Sequence, residues 1–100
     1  MIRSFKHKGL KRLVEKDEAS LIRAYLVSTV REILTVLDAA SSSLGLSLPD
    51  YHLHPLKGNR KRYWAVTVRA NWRIIFRFVG VHAYDVDLLD YHRGSLRSCR

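Results

Sequence analysis

Five histidines fall within 100 residues, and histidine is the one side chain whose ordinary pKa lets it exchange a proton near neutral pH. Two of them stand in suggestive company: His54 lies in the run HPLKG just before a basic turn, and His92 closes the run DYH. If adjacent strands bring these ends together, a phosphate would lie between two proton-transfer groups and a cluster of cations. RNA cleavage needs that arrangement. The 2′-hydroxyl must lose a proton to attack phosphorus, the phosphorane must be stabilised, and the departing 5′-oxygen must gain a proton. Either histidine could be the base and the other the acid, while Asp90 could orient an imidazole or transfer a proton itself. Lys57 and Arg73 could hold the phosphate, with Arg60, Lys61 and Arg62 adding charge in the turn. Tyr91 offers a flat ring on which an unstacked base can rest.

A histidine or aromatic chosen at random is more often structural than catalytic, so residue types alone leave this assignment open. His7 and His82 have no distinguishing neighbours and are assigned to structure or solvent. A rival reading takes Asp85, Asp87 and Asp90, or His52 and His54, as metal ligands. Carboxylates on a strand opposite a run of arginines are more simply charge partners, and no recognised ligand spacing is present. No metal or cofactor is therefore expected. Gly58 stands alone and Gly80 falls in a turn, so no phosphate-cradling glycine loop exists, and no serine sits in a nucleophile elbow.

Charge points the same way as the histidines. Eighteen Lys and Arg against nine Asp and Glu give a formal charge of +9, and the excess is unevenly placed. From Lys57 to Arg77 there are seven basic residues and no acidic one, and the first sixteen residues add six more against Glu15. A polyanion, nucleic acid or the ribosome, is the natural partner. Cys99 is the only cysteine, so no internal disulfide can form and a reducing cytoplasm fits best. The opening residues lack the apolar core of a signal peptide. The apolar stretch Leu21 to Ala40 is broken by Arg23, Arg31, Glu32 and Asp38, which excludes a membrane span.

The elements that must position these residues follow from periodicity. Ile2 to Phe5 predicts a short opening strand, and Leu10, Leu13 and Val14 predict a basic first helix weakened by Gly9. Ser20 is a candidate cap for a second helix whose core stripe is Leu26, Val30, Ile33, Leu37 and Ala40. After an irregular stretch through Pro49 the period becomes two. Tyr51 to Leu56 contains Pro55 and belongs at a sheet edge. Tyr63 to Ala70 places Trp64, Val66 and Val68 on one face and Tyr63, Thr67 and Arg69 on the other. Asn71 turns the chain into Trp72 to Val79, with Ile74, Phe76 and Phe78 inward and Arg73, Ile75 and Arg77 opposite. A last strand from His82 is expected to set Tyr84, Val86 and Leu88 against Asp85 and Asp87. The reading is one α+β domain over residues 1–92, two N-terminal helices on one face of a mainly antiparallel sheet. Residues 93–100 are expected to form a mobile basic tail.

The segments IRSFKHKGLKRL, LHPLKG, YWAVTVRANWRI with FRF, AYDVD and DYH span residues 2 to 92. In this order and spacing the chain resembles the HigB toxins, plasmid-maintenance killer proteins of the RelE/ParE-like superfamily. The resemblance implies a microbial-RNase-like (RelE-like) fold and metal-independent cleavage of mRNA during translation in the ribosomal A site. It implies His54 as an active-site histidine with Lys57 beside it, Asp90, Tyr91 and His92 as a terminal catalytic cluster, and Arg73 near the phosphate. It also implies a HigA-type helix-turn-helix antitoxin, through which alone operator DNA would be bound. The segment Val14 to Leu48 matches mainly in pattern, and the residues after DYH extend beyond the usual ending. Two other functions compete: a ParE-like inhibitor of DNA gyrase, against which the DYH ending argues, and a non-catalytic nucleic-acid-binding module.

Overall fold

Leu10 and Leu13, three residues apart on a lysine-rich segment, are buried by helix α1, Lys8–Lys16, in the computed structural model of the chain. The structure describes residues 1–48, 51–56, 58, 62–69 and 71–90. His7 begins α1 in place of the usual serine or aspartate, its Nδ1 accepting from the amides of Gly9 at 3.0 Å and Leu10 at 3.3 Å. Gly9 makes this possible: a Cβ there would lie 2.8 Å from His7 Cε1 and 3.0 Å from the Leu21 Cβ. The glycine that weakens the helix intrinsically is the residue that admits its cap.

Helix α2, Ala24–Ala39, buries Leu26, Val30, Ile33, Leu34 and Leu37 on one face. The stripe is as expected through Leu37, with Leu34 added and Ala40 falling just past the helix end, but Ser20 does not cap it. The helix starts four residues later with no side-chain cap, because Ala19 to Ile22 form a turn that drops Ile22 into the core. The Ser20 hydroxyl instead donates to Glu18 Oε2 at 3.3 Å. Among the described residues no helix is long and apolar enough to cross a membrane.

The strands are β1 (His54–Pro55), β2 (Trp64–Arg69), β3 (Trp72–Val79) and β4 (His82–Asp90). They pair antiparallel in the order β1-β2-β3-β4. Val66, Ile74, Phe76, Val86 and Leu88 meet the two helices in one core. The opening residues do not form a full strand: Ile2 and Phe5 make isolated parallel bridges to Ala83 and Val86. Four backbone hydrogen bonds between Met1–Lys6 and Ala83–Val86 cover the outer edge of β4, which would otherwise present unpaired amides.

Two bulges change the face assignments made from alternation. In β2 the register shifts between Thr67 and Arg69, so Arg69 pairs with Trp72 and lies over the Tyr25 ring of α2 at 5.4 Å. It therefore joins the helix face rather than the face of Tyr63 and Thr67. In β4 two residues, Asp85 and Val86, stand opposite the single Phe76, and Asp85 takes φ 55°. Tyr84 consequently pairs with Arg77 and lies on the face away from the helices, not with Val86 and Leu88.

Candidate functional site

Side chains directly opposed across antiparallel strands share a face, and the register therefore lays out the helix-free side of the sheet row by row. His54, Ala65, Ile75 and Asp87 form one row across all four strands, and Thr67, Arg73 and Leu89 form the next. His54 and Arg73 are thus brought to one face. Ala65 and Ile75, both fully buried, make an apolar floor between His54 and Asp87.

The histidine is held from behind. Tyr51 is buried and its hydroxyl donates to Glu32 Oε2 at 2.8 Å, which anchors the approach to β1 on helix α2. His52 then takes φ 50°, a left-handed conformation costly for a residue with a Cβ, and its carbonyl lies 2.8 Å from His54 Nδ1. A carbonyl only accepts, so Nδ1 carries the proton and the neutral ring keeps its lone pair on Nε2. The ring is set to take a proton at Nε2 and, once charged, to return it there. Arg73 is half-buried, and its Nη1 donates to the Trp72 carbonyl at 3.0 Å.

Asp90 is placed differently. It pairs with Trp72, whose ring packs on the core and whose Nε1 donates to Tyr25 Oη at 3.0 Å, so alternation directs Asp90 toward the helix side at the end of β4. Of the three expected site residues on described strands, two share a face and Asp90 leaves from the other. Arg62 is an exposed turn residue ahead of β2. Lys57, Arg60, Lys61, Tyr91, His92 and the segment 93–100 lie outside the described residues.

Of the acidic residues grouped by the metal reading, Asp85 and Asp87 lie on the helix-free face, while Asp90 pairs with Trp72 on the helix side. Asp85 Oδ2 accepts from Arg77 Nε at 2.7 Å and from Tyr63 Oη at 3.1 Å, and its Oδ1 faces Ser4 Oγ at 3.4 Å. Asp87 Oδ1 accepts from the Leu88 amide at 2.9 Å. Among the described residues no three His, Cys, Asp or Glu are grouped to hold a cation. Sequence reasoning weighed Asp85 as a metal ligand and preferred it as a charge partner of the arginines, which it is to Arg77, but gave Arg77 and Tyr84 no role in a site, because a bulge leaves no mark in an alternating pattern.

The Arg77 hydrogen bond holds the Asp85 carboxyl below its ordinary value of 3.8, against the opposing effect of burial and with help from Tyr63. A carboxyl depressed in the folded state stabilises the fold above its unfolded pKa, and that contribution disappears as pH falls through the depressed value. Asp85→Asn, which suits the left-handed backbone equally well, should lower the thermal midpoint at neutral pH. The difference from the parent should close as pH falls below the ordinary carboxylate value of 3.8. Parallel melting curves over that range would refute the linkage.

Two helices on one face of a four-stranded antiparallel sheet of this order make the RelE-like toxin fold. The chain shares its fold with YafQ from E. coli, at TM-score 0.57 and 16% identity over 96% of this chain and 98% of that one. A YafQ point mutant matches at TM-score 0.55 and 18% identity, with the same coverage. Residues 3–92 match the family described as RelE-like toxin of type II toxin-antitoxin system HigB, and the chain belongs to this HigB-like toxin family. It is 49% identical over 92 residues to the endoribonuclease HigB of Proteus vulgaris, covering 92% of this chain and all of that protein.

Proposed function

We propose that this toxin is a ribosome-dependent endoribonuclease that cleaves mRNA in the A site without a metal ion. The observation that carries the reading is the His54 ring, tied at Nδ1 by the His52 carbonyl and sharing the open sheet face with Arg73. His54 and His92 exchange protons with the 2′-hydroxyl and the 5′-oxygen, and Asp90, at the strand end, acts beside Tyr91 and His92. In the step itself one residue takes the 2′-hydroxyl proton as O2′ bonds to phosphorus. The P–O5′ bond breaks, and the second residue protonates O5′. The products are a 2′,3′-cyclic phosphate and a 5′-hydroxyl. Arg73 and Lys57 hold the phosphate through the charged intermediate, Arg60, Lys61 and Arg62 grip the RNA backbone, and Tyr91 stacks on a base.

The same positive surface suits ribosomal RNA and an acidic antitoxin face. We assign the partner as a HigA-type helix-turn-helix antitoxin, which alone touches operator DNA, and the working compartment as the cytoplasm. Purified toxin should cut mRNA on programmed ribosomes and leave the same free mRNA intact, with mapped ends carrying a 5′-hydroxyl downstream. Equal cutting of free mRNA would sink the ribosome dependence. A 5′-phosphate end would indicate metal-assisted hydrolysis instead.

A further inference from the structure

The β4 bulge works against the core. Without it, alternation would turn Tyr84 inward with Val86 and Leu88; with it, a large aromatic ring stands on the helix-free face, and Asp85 occupies a left-handed conformation at φ 55°. Bulges beside functional sites often re-aim a side chain in this way, and backbone strain of this kind is concentrated at such sites. The strained turn is secured from two sides. Ser4 Oγ accepts from the Asp85 amide at 2.8 Å, and the Asp85 carboxylate grips Arg77 at 2.7 Å. Arg77, in turn, lies over the Tyr84 ring at 5.3 Å.

The result is a guanidinium and a phenol ring locked together, on the same face as His54 and Arg73, with the Arg77 side chain still 33% exposed. Arg77 is four residues beyond Arg73 on β3, about 13 Å at the rise of an antiparallel strand, so the two cations address different nucleotides. We infer that Arg77 and Tyr84 form a second nucleotide subsite, in which the Tyr84 ring stacks on an unpaired base of single-stranded RNA and Arg77 contacts the adjoining phosphate. This rests on the endoribonuclease reading. Every base has a flat face, so the subsite positions RNA without reading its sequence. The cation-rich face and the half-buried ring with Arg77 over it favour RNA over an apolar protein segment.

The test scans abasic nucleotides along the mRNA on programmed ribosomes and measures single-turnover cleavage. Wild-type toxin should slow about tenfold at one abasic position away from the cut linkage, the loss expected for one stacked base. Tyr84→Leu should slow on intact mRNA by a similar factor and show no further loss at that position, since the base and the ring act as a pair. Tyr84→Phe should restore both the rate and the abasic sensitivity, whereas a ring needed only for folding would not couple to one nucleotide. Arg77→Lys, which keeps the charge but loses the planar fork, should reduce cleavage of intact mRNA in part. A Tyr84→Leu toxin that retains full abasic sensitivity overturns the subsite, including the case in which its one defect is weaker binding of the antitoxin. Wild-type toxin that cuts no RNA at all overturns the enzyme reading and the subsite with it.

Discussion

An mRNA carrying hydrogen in place of the 2′-hydroxyl at the cleaved linkage is expected to survive intact on toxin-bound ribosomes. The attacking oxygen is the substrate's own, so no protein group can replace it. The same chemistry fixes the effect of the protein's proton carriers. Removing a general acid or base costs about 10² to 10⁴ in rate, and His54→Ala or His92→Ala should fall in that range in single-turnover cleavage. His54 is half-buried on an edge strand, so its loss should leave the melting temperature nearly unchanged. Asp90→Ala discriminates more finely: its strand register directs it away from the His54 face, so a loss as large as that of His54→Ala would show that the chain end turns it back toward the substrate. Undiminished cutting of the 2′-deoxy linkage would eliminate the mechanism.

The largest effect on stability belongs to Phe76. It is fully buried at the centre of β3, between Trp64 of β2 and the bulge of β4, and its ring meets Phe78 edge to face at 5.8 Å. Truncation to alanine removes its burial and opens a cavity, at a cost of about 3–5 kcal/mol. For a domain of this size that corresponds to a fall in thermal midpoint of about 15–30 °C. A fall of only a few degrees would mean that the helices close over the gap. The two variants separate activity from folding: His54→Ala acts on the rate, and Phe76→Ala acts on the amount of folded toxin.

What could be read from the amino acids was whatever repeats with a period. The α2 stripe and the inward set Val66, Ile74 and Phe76 follow from spacing because burial selects the same face turn after turn. Pro55 and Asn71 mark an edge and a turn for reasons local to their own backbones. The misses have a different physical origin. A bulge is one extra residue stabilised by distant partners, and Asp85 depends on Ser4 and Arg77, so nothing near it in sequence announces it. His7 as a helix cap likewise depends on a gap left by Gly9. For the site, the histidine and arginine types were legible, and the His54–Arg73 face followed once register was fixed. The strained His52 carbonyl that selects the tautomer was not, since it is a matter of backbone angle and not of residue type.

The tie between residues 1–6 and the edge of β4 has a consequence for the order in which the chain folds. Ser4 and Asp85, joined by a 2.8 Å hydrogen bond, are 81 positions apart. Contacts of such long sequence separation form late because the intervening loop must first be closed. The sheet edge is therefore sealed among the last steps of folding, after β2, β3 and β4 have paired through their short connections.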